Sequence, residues 1–315
     1  MKVDVAWMIP WPNAHGSISA CSGASAELVA RGASSIIVGK DDIRDVNARV
    51  YVLLGLDVAM AERVRGARPS AKIFLQNHSP WLFLECSGRD WEKWTNCLRW
   101  ARRHDQHLAQ VAPREYQSAV AAFGLTGLSL IPAIYPFRNA KSTKAKTDPP
   151  TIVIAHKDRP WKNIVGQCAA IGMVNKRRPV RAAIYLEDGS PRCIDAMTIF
   201  EKFGVEFDLR TWKPQREFRE EIADASCGMC CTWAECYSQA ALDFMTQGIP
   251  IVGSPANWAC PVRLMASPDS IIGIVEALFF ALNKQKATGN DCLLAAEAAQ
   301  AIQREHMDRW ADQWL

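Results

Sequence analysis

The stretch Ala234-Glu235-Cys236-Tyr237-Ser238-Gln239-Ala240-Ala241-Leu242-Asp243-Phe244-Met245-Thr246-Gln247-Gly248-Ile249-Pro250-Ile251-Val252 reads as turn, helix, glycine stop and buried strand. Glu235 stands just before an apolar run at helical spacing. A carboxylate and the free N–H groups of a first helical turn are therefore expected to face one ligand there, as an anion and hydroxyl site. An acid in that place can also serve only as a dipole partner. Asp243 comes eight residues later, a little over two helical turns, so the two acids fall on roughly one face. Gly248 suits a left-handed stop, and Ile249-Pro250-Ile251-Val252 a short buried strand.

Outward from this stretch the chain alternates short apolar runs with helical patterns. Val3 to Ile9, Ser35 to Val38, Val50 to Leu54, Lys72 to Leu75, His107 to Val111 and Leu128 to Pro132 read as strands, with helices between them. That alternation predicts an α/β unit with a parallel sheet. The polar segment Asn139 to Pro150 holds three lysines and ends in Pro-Pro, which marks an interdomain linker. Thr151-Ile152-Val153-Ile154-Ala155 then opens a second α/β domain. Its further strands are expected near Arg181 to Tyr185, Val205 to Leu209, Gly228 to Cys231 and Ile249 to Val252. Ser270 to Leu315 is helical by periodicity.

Length and composition bound the function. A chain of 315 residues, 49% of them apolar, has room for two domains with sizeable cores. A net charge of +4 is too small a bias to imply nucleic acid by itself, while leaving local basic faces open. Eleven cysteines without regular spacing read as reduced thiols. Cys227, Cys230 and Cys231 lack a second pair at zinc-ligand spacing and read as buried strand residues, so no metal site is expected. The start Met1 to Trp7 lacks a signal-peptide layout, and no apolar run approaches the ~18 residues of a membrane span. A soluble cytoplasmic protein is the expectation, in the host cytoplasm if the chain is phage-encoded.

Two loops carry the candidate chemistry. His156-Lys157-Asp158-Arg159-Pro160-Trp161-Lys162-Asn163 follows a strand and precedes a helix, so its cations sit at the carboxyl edge of a sheet, where open α/β sheets bind ligands. His15-Gly16-Ser17 lies between the first strand and its helix, and Gly16 would let backbone N–H groups approach a phosphate. His78 follows the strand Lys72 to Leu75 at a similar edge.

The order of acid, aromatic, small residue, second acid, Met, Gly, Pro and Val at Glu235, Tyr237, Ser238, Asp243, Met245, Gly248, Pro250 and Val252 resembles the donor-binding signature of retaining GT-B glycosyltransferases, especially family 4. The resemblance implies an α/β fold of GT-B architecture, with two Rossmann-like doubly wound domains facing across a cleft and a C-terminal helix crossing back. The boundaries it implies are an acceptor-side domain over 1–138, a linker over 139–150, a nucleotide-sugar domain over 151–300 and the returning helix over 301–315. It implies a nucleotide-diphosphate sugar as co-substrate, a UDP-sugar first among them, and no cofactor or metal. Glu235, His78 and Lys162 would be catalytic: Glu235 orients sugar hydroxyls, His78 contacts the transferred sugar, and Lys162 holds the diphosphate with Lys157 or Arg159. Gly16, Tyr237, Ser238 and Gln239 would line the donor site, and Asp243 would meet the ribose. Ser238 stands where the family has Gly, Asp243 where it has Glu, and His15 where it has Gly.

Trp11, His15, Trp81 and Phe83 are the candidate acceptor contacts, with Trp91 and Trp94 just beyond. Basic clusters occur at Arg99, Arg102 and Arg103, at Lys141, Lys144 and Lys146, and at Lys176-Arg177-Arg178 with Arg181. Aromatic and basic groups together are compatible with a hydroxymethylated base in DNA as acceptor; glycan, lipid-linked and small-molecule acceptors stay open. Two rivals are a GT-B-like module that binds nucleotide or glycan without turnover, and an epimerase of the same architecture.

Overall fold

The computed structural model describes residues 1–9, 15–78, 88–123, 128–235 and 238–315. They form two compact units, Met1–Phe137 with Gln300–Leu315, and Arg138–Ala299.

In unit 1 the strands are β1 (Lys2–Ile9), β2 (Ser35–Gly39), β3 (Asn47–Leu54), β4 (Lys72–Asn77), β5 (His107–Gln110) and β6 (Leu128–Leu130). All pair in parallel in the order β2-β1-β3-β4-β5-β6, with Trp7 opposite Ile37 on one side and Val52 on the other. Parallel strands need crossover connections, and these bring helices onto the sheet. They are α1 (His15–Ala30), α2 (Val58–Ala67), α3 (Gly88–Arg103) and α4 (Pro113–Phe123). Both faces are covered, so β1 is apolar on both. Ala6 and Met8 join the core shared with Met60, Val64, Trp94 and Trp100, while Val5, Trp7 and Ile9 join a second core with Leu28, Met307 and Trp310.

Unit 2 has β7 (Thr151–Ala155), β8 (Arg181–Tyr185), β9 (Glu206–Arg210), β10 (Cys227–Cys230) and β11 (Ile251–Gly253), parallel in the order β11-β10-β7-β8-β9. Its helices are α5 (Ile164–Asn175), α6 (Pro191–Phe203), α7 (Gln215–Glu221), α8 (Gln239–Met245) and α9 (Ile271–Asn283). β7 is buried at all five positions, as a central strand covered on both faces must be. The order reverses at β7, whose two neighbours are reached by crossovers in opposite directions. The crevice outside the carboxyl ends of β7 and β10 is therefore the switch point of this sheet.

Segment 139–150, expected as a linker, lies along unit 2. Ala140 N donates to Thr246 O at 2.8 Å and Ser142 N to Gln247 O at 2.9 Å. Lys144 Nζ donates to Glu220 O and Lys146 Nζ to Ala223 O at the C-terminal end of α7, where exposed carbonyls favour cations. The strand expected from Ile249 begins at Ile251.

The last helix, α10 (Gln285–Trp314), leaves unit 2, and from Gln300 its residues belong to unit 1. Trp310 is 3% exposed, with its ring 5.5 Å from Phe74 edge-on and 6.4 Å from Trp7. Arg31 pairs with Asp308 at 2.5 Å and Arg304 with Glu27 at 3.4 Å. Those ion pairs are partly exposed and contribute little, so the buried ring dominates the docking. Trp310→Ala is expected to lower the stability of unit 1 by about 3–5 kcal/mol. Calorimetry and hydrogen exchange of β1, β3 and β4 amides check this, with unit 2 amides as the internal control.

Candidate functional site

The residues singled out in unit 2 meet at its switch point. After β7 the chain runs through His156 to a single 3-10 turn, Pro160–Lys162, and Asn163 takes a left-handed conformation (φ 50°) before α5 begins. Asparagine tolerates that conformation better than most residues with a side chain. After β10 the chain runs through Cys231 and Trp233 to Glu235. Trp233 N donates to Trp161 O at 2.9 Å, which lays the two segments side by side. Lys162 Nζ then forms an ion pair with Glu235 Oε2, the two residues lying 73 positions apart in sequence. Their side chains are 13% and 12% exposed, so the pair is largely out of water and much stronger than a surface pair.

The cations of this loop differ in state. Lys157 is exposed, whereas the Arg159 guanidinium lies 5.4 Å from the Trp161 ring centre in a cation–π contact. Between them Asp158 accepts from Arg192 Nη1 at 2.6 Å; burial acts to raise its carboxyl, but the hydrogen bonds and charge of Arg192 outweigh it and hold the carboxyl below the usual range. Asp158 is thereby tied to the start of α6, and Lys157 and Arg159 flank a fixed point.

α8 starts later than the sequence suggests. Its cap is Ser238, whose hydroxyl accepts from Ala241 N at 3.3 Å, and the first helical residue is Gln239. A serine at the cap satisfies an otherwise unpaired N–H, which a start at Glu235 would have forgone. Glu235 thus lies in the loop before the helix, and its partner is Lys162 instead of the first-turn N–H groups. At the other end Gly248 is left-handed (φ 67°) and Ile249 N returns to Phe244 O at 3.1 Å, the closure that lets the chain turn into β11.

Asp243 lies inside unit 2, 3% exposed, and accepts from Gln215 Nε2 at 3.0 Å with Arg219 Nη1 at 3.6 Å. Arg219 also donates to Thr246 Oγ1 at 2.6 Å. A buried carboxylate needs such partners, and here α7 supplies them.

Two histidines are held neutral. Burial pushes His156, 4% exposed, down to about 3, with the nearby Lys162 charge acting the same way; hydrogen bonds with the Met229 backbone and Gln167 offset only part of this. His156 Nε2 is buried without a hydrogen-bond partner among the described residues. No role is assigned to this residue from the sequence, yet it is the buried first residue of the cationic loop. In unit 1 burial pushes His78, just past the end of β4, down to about 4, and its Nε2 lies 2.9 Å from Gln76 Oε1.

Trp11, Trp81, Phe83 and Tyr237 lie outside the described residues, as do the side chains of His15, Gly16 and Ser17; the backbone of the latter three forms the first turn of α1. Cys227 and Cys230 are buried in β10, and burial pushes both thiols up. The Lys141, Lys144 and Lys146 amines contact Asn290 Oδ1, the Glu220 carbonyl in α7 and the Ala223 carbonyl just past it, so this cluster is occupied within unit 2. Among the described residues no helix is long and apolar enough to cross a membrane.

No protein-family model and no curated protein matches the sequence. Solved structures do match the fold. Anabaena HepE in complex with UDP-glucose aligns with a TM-score of 0.71 at 9% identity, over 98% of this chain and 100% of that one. Sucrose-phosphate synthase from Thermosynechococcus elongatus aligns with a TM-score of 0.70 at 9% identity, over 99% and 98%. TarM aligns with a TM-score of 0.67 at 12% identity, over 86% of this chain and 55% of TarM, so the chain spans about half the length of that protein. At these identities the likeness is one of fold: two Rossmann-like, parallel-sheet units of the GT-B class.

His156 makes stability depend on pH. The unfolded imidazole takes up its proton near pH 6.5 and the folded one only near pH 3. Between those values the unfolded state binds more protons, so the contribution is complete above pH 6.5 and is lost progressively as pH falls. Thermal unfolding from pH 7.5 to pH 5 should therefore show a falling midpoint, by about 3–5 °C per pH unit at full slope. His156→Gln is expected to flatten that slope, with the contribution of His78 remaining.

Proposed function

We propose that the protein is a glycosyltransferase that takes a sugar from a nucleoside-diphosphate sugar, a UDP-sugar first, and moves it to an acceptor hydroxyl with retention. The observation that carries the reading is the Lys162–Glu235 pair at the switch point of unit 2. It joins the two segments that the sequence pattern singles out, at the edge where open α/β sheets hold ligands. That the matched structures include HepE with UDP-glucose supports this choice of donor.

On this reading the exposed Lys157, with Arg159 and Lys162, holds the diphosphate oxygens, and their positive charge stabilises the leaving group without a metal ion. The bond from the anomeric carbon to the diphosphate oxygen breaks with its electron pair going to the phosphate, while the acceptor oxygen bonds to the same face of the sugar and its hydroxyl proton passes to the departing phosphate oxygen. Glu235 accepts hydrogen bonds from sugar hydroxyls. His78, held neutral, can donate to or accept from the transferred sugar. Asp243 is engaged by Gln215 and Arg219, so a ribose at this position would have to compete with those partners or be met through Gln215. This favours, as the second reading, a protein that binds nucleotide without turnover.

A hydroxymethylated base in DNA is one acceptor this reading keeps open, beside glycan, lipid-linked and small-molecule hydroxyls. Arg102 and Arg103 are exposed at the end of α3, where a polyanion could reach them, whereas the Lys141, Lys144 and Lys146 cluster lends no support. The reading places the protein in the cytoplasm.

Nucleoside-diphosphate release from UDP-, GDP-, ADP- and dTDP-sugars, with and without hydroxymethylcytosine DNA, tests the proposal. Glu235→Ala is expected to lower release by about 10²-fold or more. Release that the variant leaves unchanged would overturn the assignment of the site. Tight binding of UDP with no release from any donor would leave the binding reading in its place.

A further inference from the structure

Gln167, the fourth residue of α5, is 0% exposed. A buried amide must find partners for both its oxygen and its NH2 group, and this one finds them on two different loops. Its Oε1 accepts from Cys231 N at 3.2 Å, while its Nε2 donates to Lys162 O at 2.8 Å and, more weakly, to Asn163 O at 3.4 Å. Its own backbone N donates to Asn163 O at 3.1 Å, so the side chain is anchored one turn from the residues it holds. Cys231 opens the segment that leads to Glu235, and Lys162 closes the cationic turn.

Among the described residues the two loops are therefore joined by the Lys162–Glu235 ion pair, the Trp233 N–Trp161 O bond and the Gln167 bridge. The first is the one a ligand must disturb. If Lys162 turns to phosphate oxygens and Glu235 to hydroxyls, the charges no longer hold each other. The loops then keep their register through bonds that do not involve the ligand-binding groups. Trp233 supplies one such bond on the partly exposed side, and its ring is 42% exposed. Gln167 supplies the other from the interior.

We propose that Gln167 is a positioning residue, which fixes the Lys162 backbone against the Cys231–Glu235 segment while the ligand replaces the ion pair. This inference rests on the reading of the site as one for a nucleoside-diphosphate sugar. An apolar side chain of the same size would fill the space but leave the Cys231 N–H and the Lys162 carbonyl without this partner, so two ligand groups would lose a fixed separation.

The test is calorimetric titration of the full chain with UDP, comparing wild type, Gln167→Leu and Gln167→Glu, with hydrogen exchange at the Cys231 amide and thermal unfolding as controls. Gln167→Leu is expected to weaken UDP binding about tenfold and to speed exchange at Cys231. Gln167→Glu keeps an acceptor for Cys231 N but, when ionised, has no hydrogen to give Lys162 O. Its binding should be weak at about pH 8 and recover toward wild type at about pH 5.5, where the buried carboxyl is protonated and can donate. His156, Lys162, Glu235 and Cys231 are the titratable residues around position 167; because His156 lies beside Gln167, the pH comparison is repeated in a His156→Gln background, where the recovery should persist, and wild type is measured at both pH values. A purely packing role would give no such recovery. UDP affinities equal to wild type in both variants would overturn the proposal and leave the donor reading intact. A wild type that binds no UDP would overturn the donor reading and the proposal with it. Should Gln167→Leu fail to fold, the pH comparison in Gln167→Glu decides.

Discussion

Among the described residues all eleven strands pair in parallel, and a parallel sheet must be covered on both faces. That constraint organises most of what this chain does. It demands crossover helices, so every loop of one kind falls at the carboxyl edge and every loop of the other kind at the amino edge. It buries the central strands on both faces, so among the described residues β7 offers no surface on which to build a site. Charged groups that could act on a ligand are therefore confined to loops at the carboxyl edges, and in unit 2 the reversal of strand order opens room for a ligand only beside β7 and β10. Lys162 and Glu235 meet because their loops follow those two strands.

The same constraint explains what the sequence reveals. A strand buried on both faces reads as an unbroken apolar run, and Thr151 to Ala155 is legible for that reason. Gly248 is legible because few residues other than glycine accept its backbone angle. The start of α8 was harder. Glu235 and Ser238 are both acceptable near a helix start, and the choice between them depends on whether Glu235 has a better partner elsewhere. It has one in Lys162, which periodicity within a single window cannot show. Asp243 and Gln167 fail to declare themselves for a related reason. Each is a polar residue inside an apolar helix pattern, and its meaning lies in partners on other elements: Gln215 and Arg219 for the first, Cys231 and Lys162 for the second. Position in the pattern tells only that such a residue must be satisfied somehow.

Charge counting behaves in the same way. Lys141, Lys144 and Lys146 form a basic run in sequence, yet the amines are committed to Asn290 and to carbonyls at the end of α7. Arg181 likewise faces Glu206 on the neighbouring strand at 2.8 Å. Cations near exposed carbonyls or carboxylates contribute to local order and have little field left for a distant polyanion. Lys157 is different, because its neighbours Asp158 and Trp161 are themselves bound to Arg192 and Arg159 and leave it exposed.

Under the proposed reading the ion pair also sets what kind of ligand the site can accept. Opening it separates two charges that are mostly shielded from water, and that costs several kcal/mol unless both find new partners. An inorganic diphosphate could satisfy Lys162 but would bring further negative charge toward Glu235, so one half of the pair would be left worse off. A ligand with phosphate oxygens at one end and hydroxyl groups at the other satisfies both, because hydroxyls donate to the carboxylate. Under the proposed reading the pair is thus a selectivity element as well as a structural one: it disfavours simple anions and favours ligands in which charge and hydroxyls are separated by the length of a sugar ring. Such discrimination works only if the spacing between Lys162 and Glu235 survives the opening of the pair, which is why a fixed interior bridge between their loops matters more here than the strength of the pair itself.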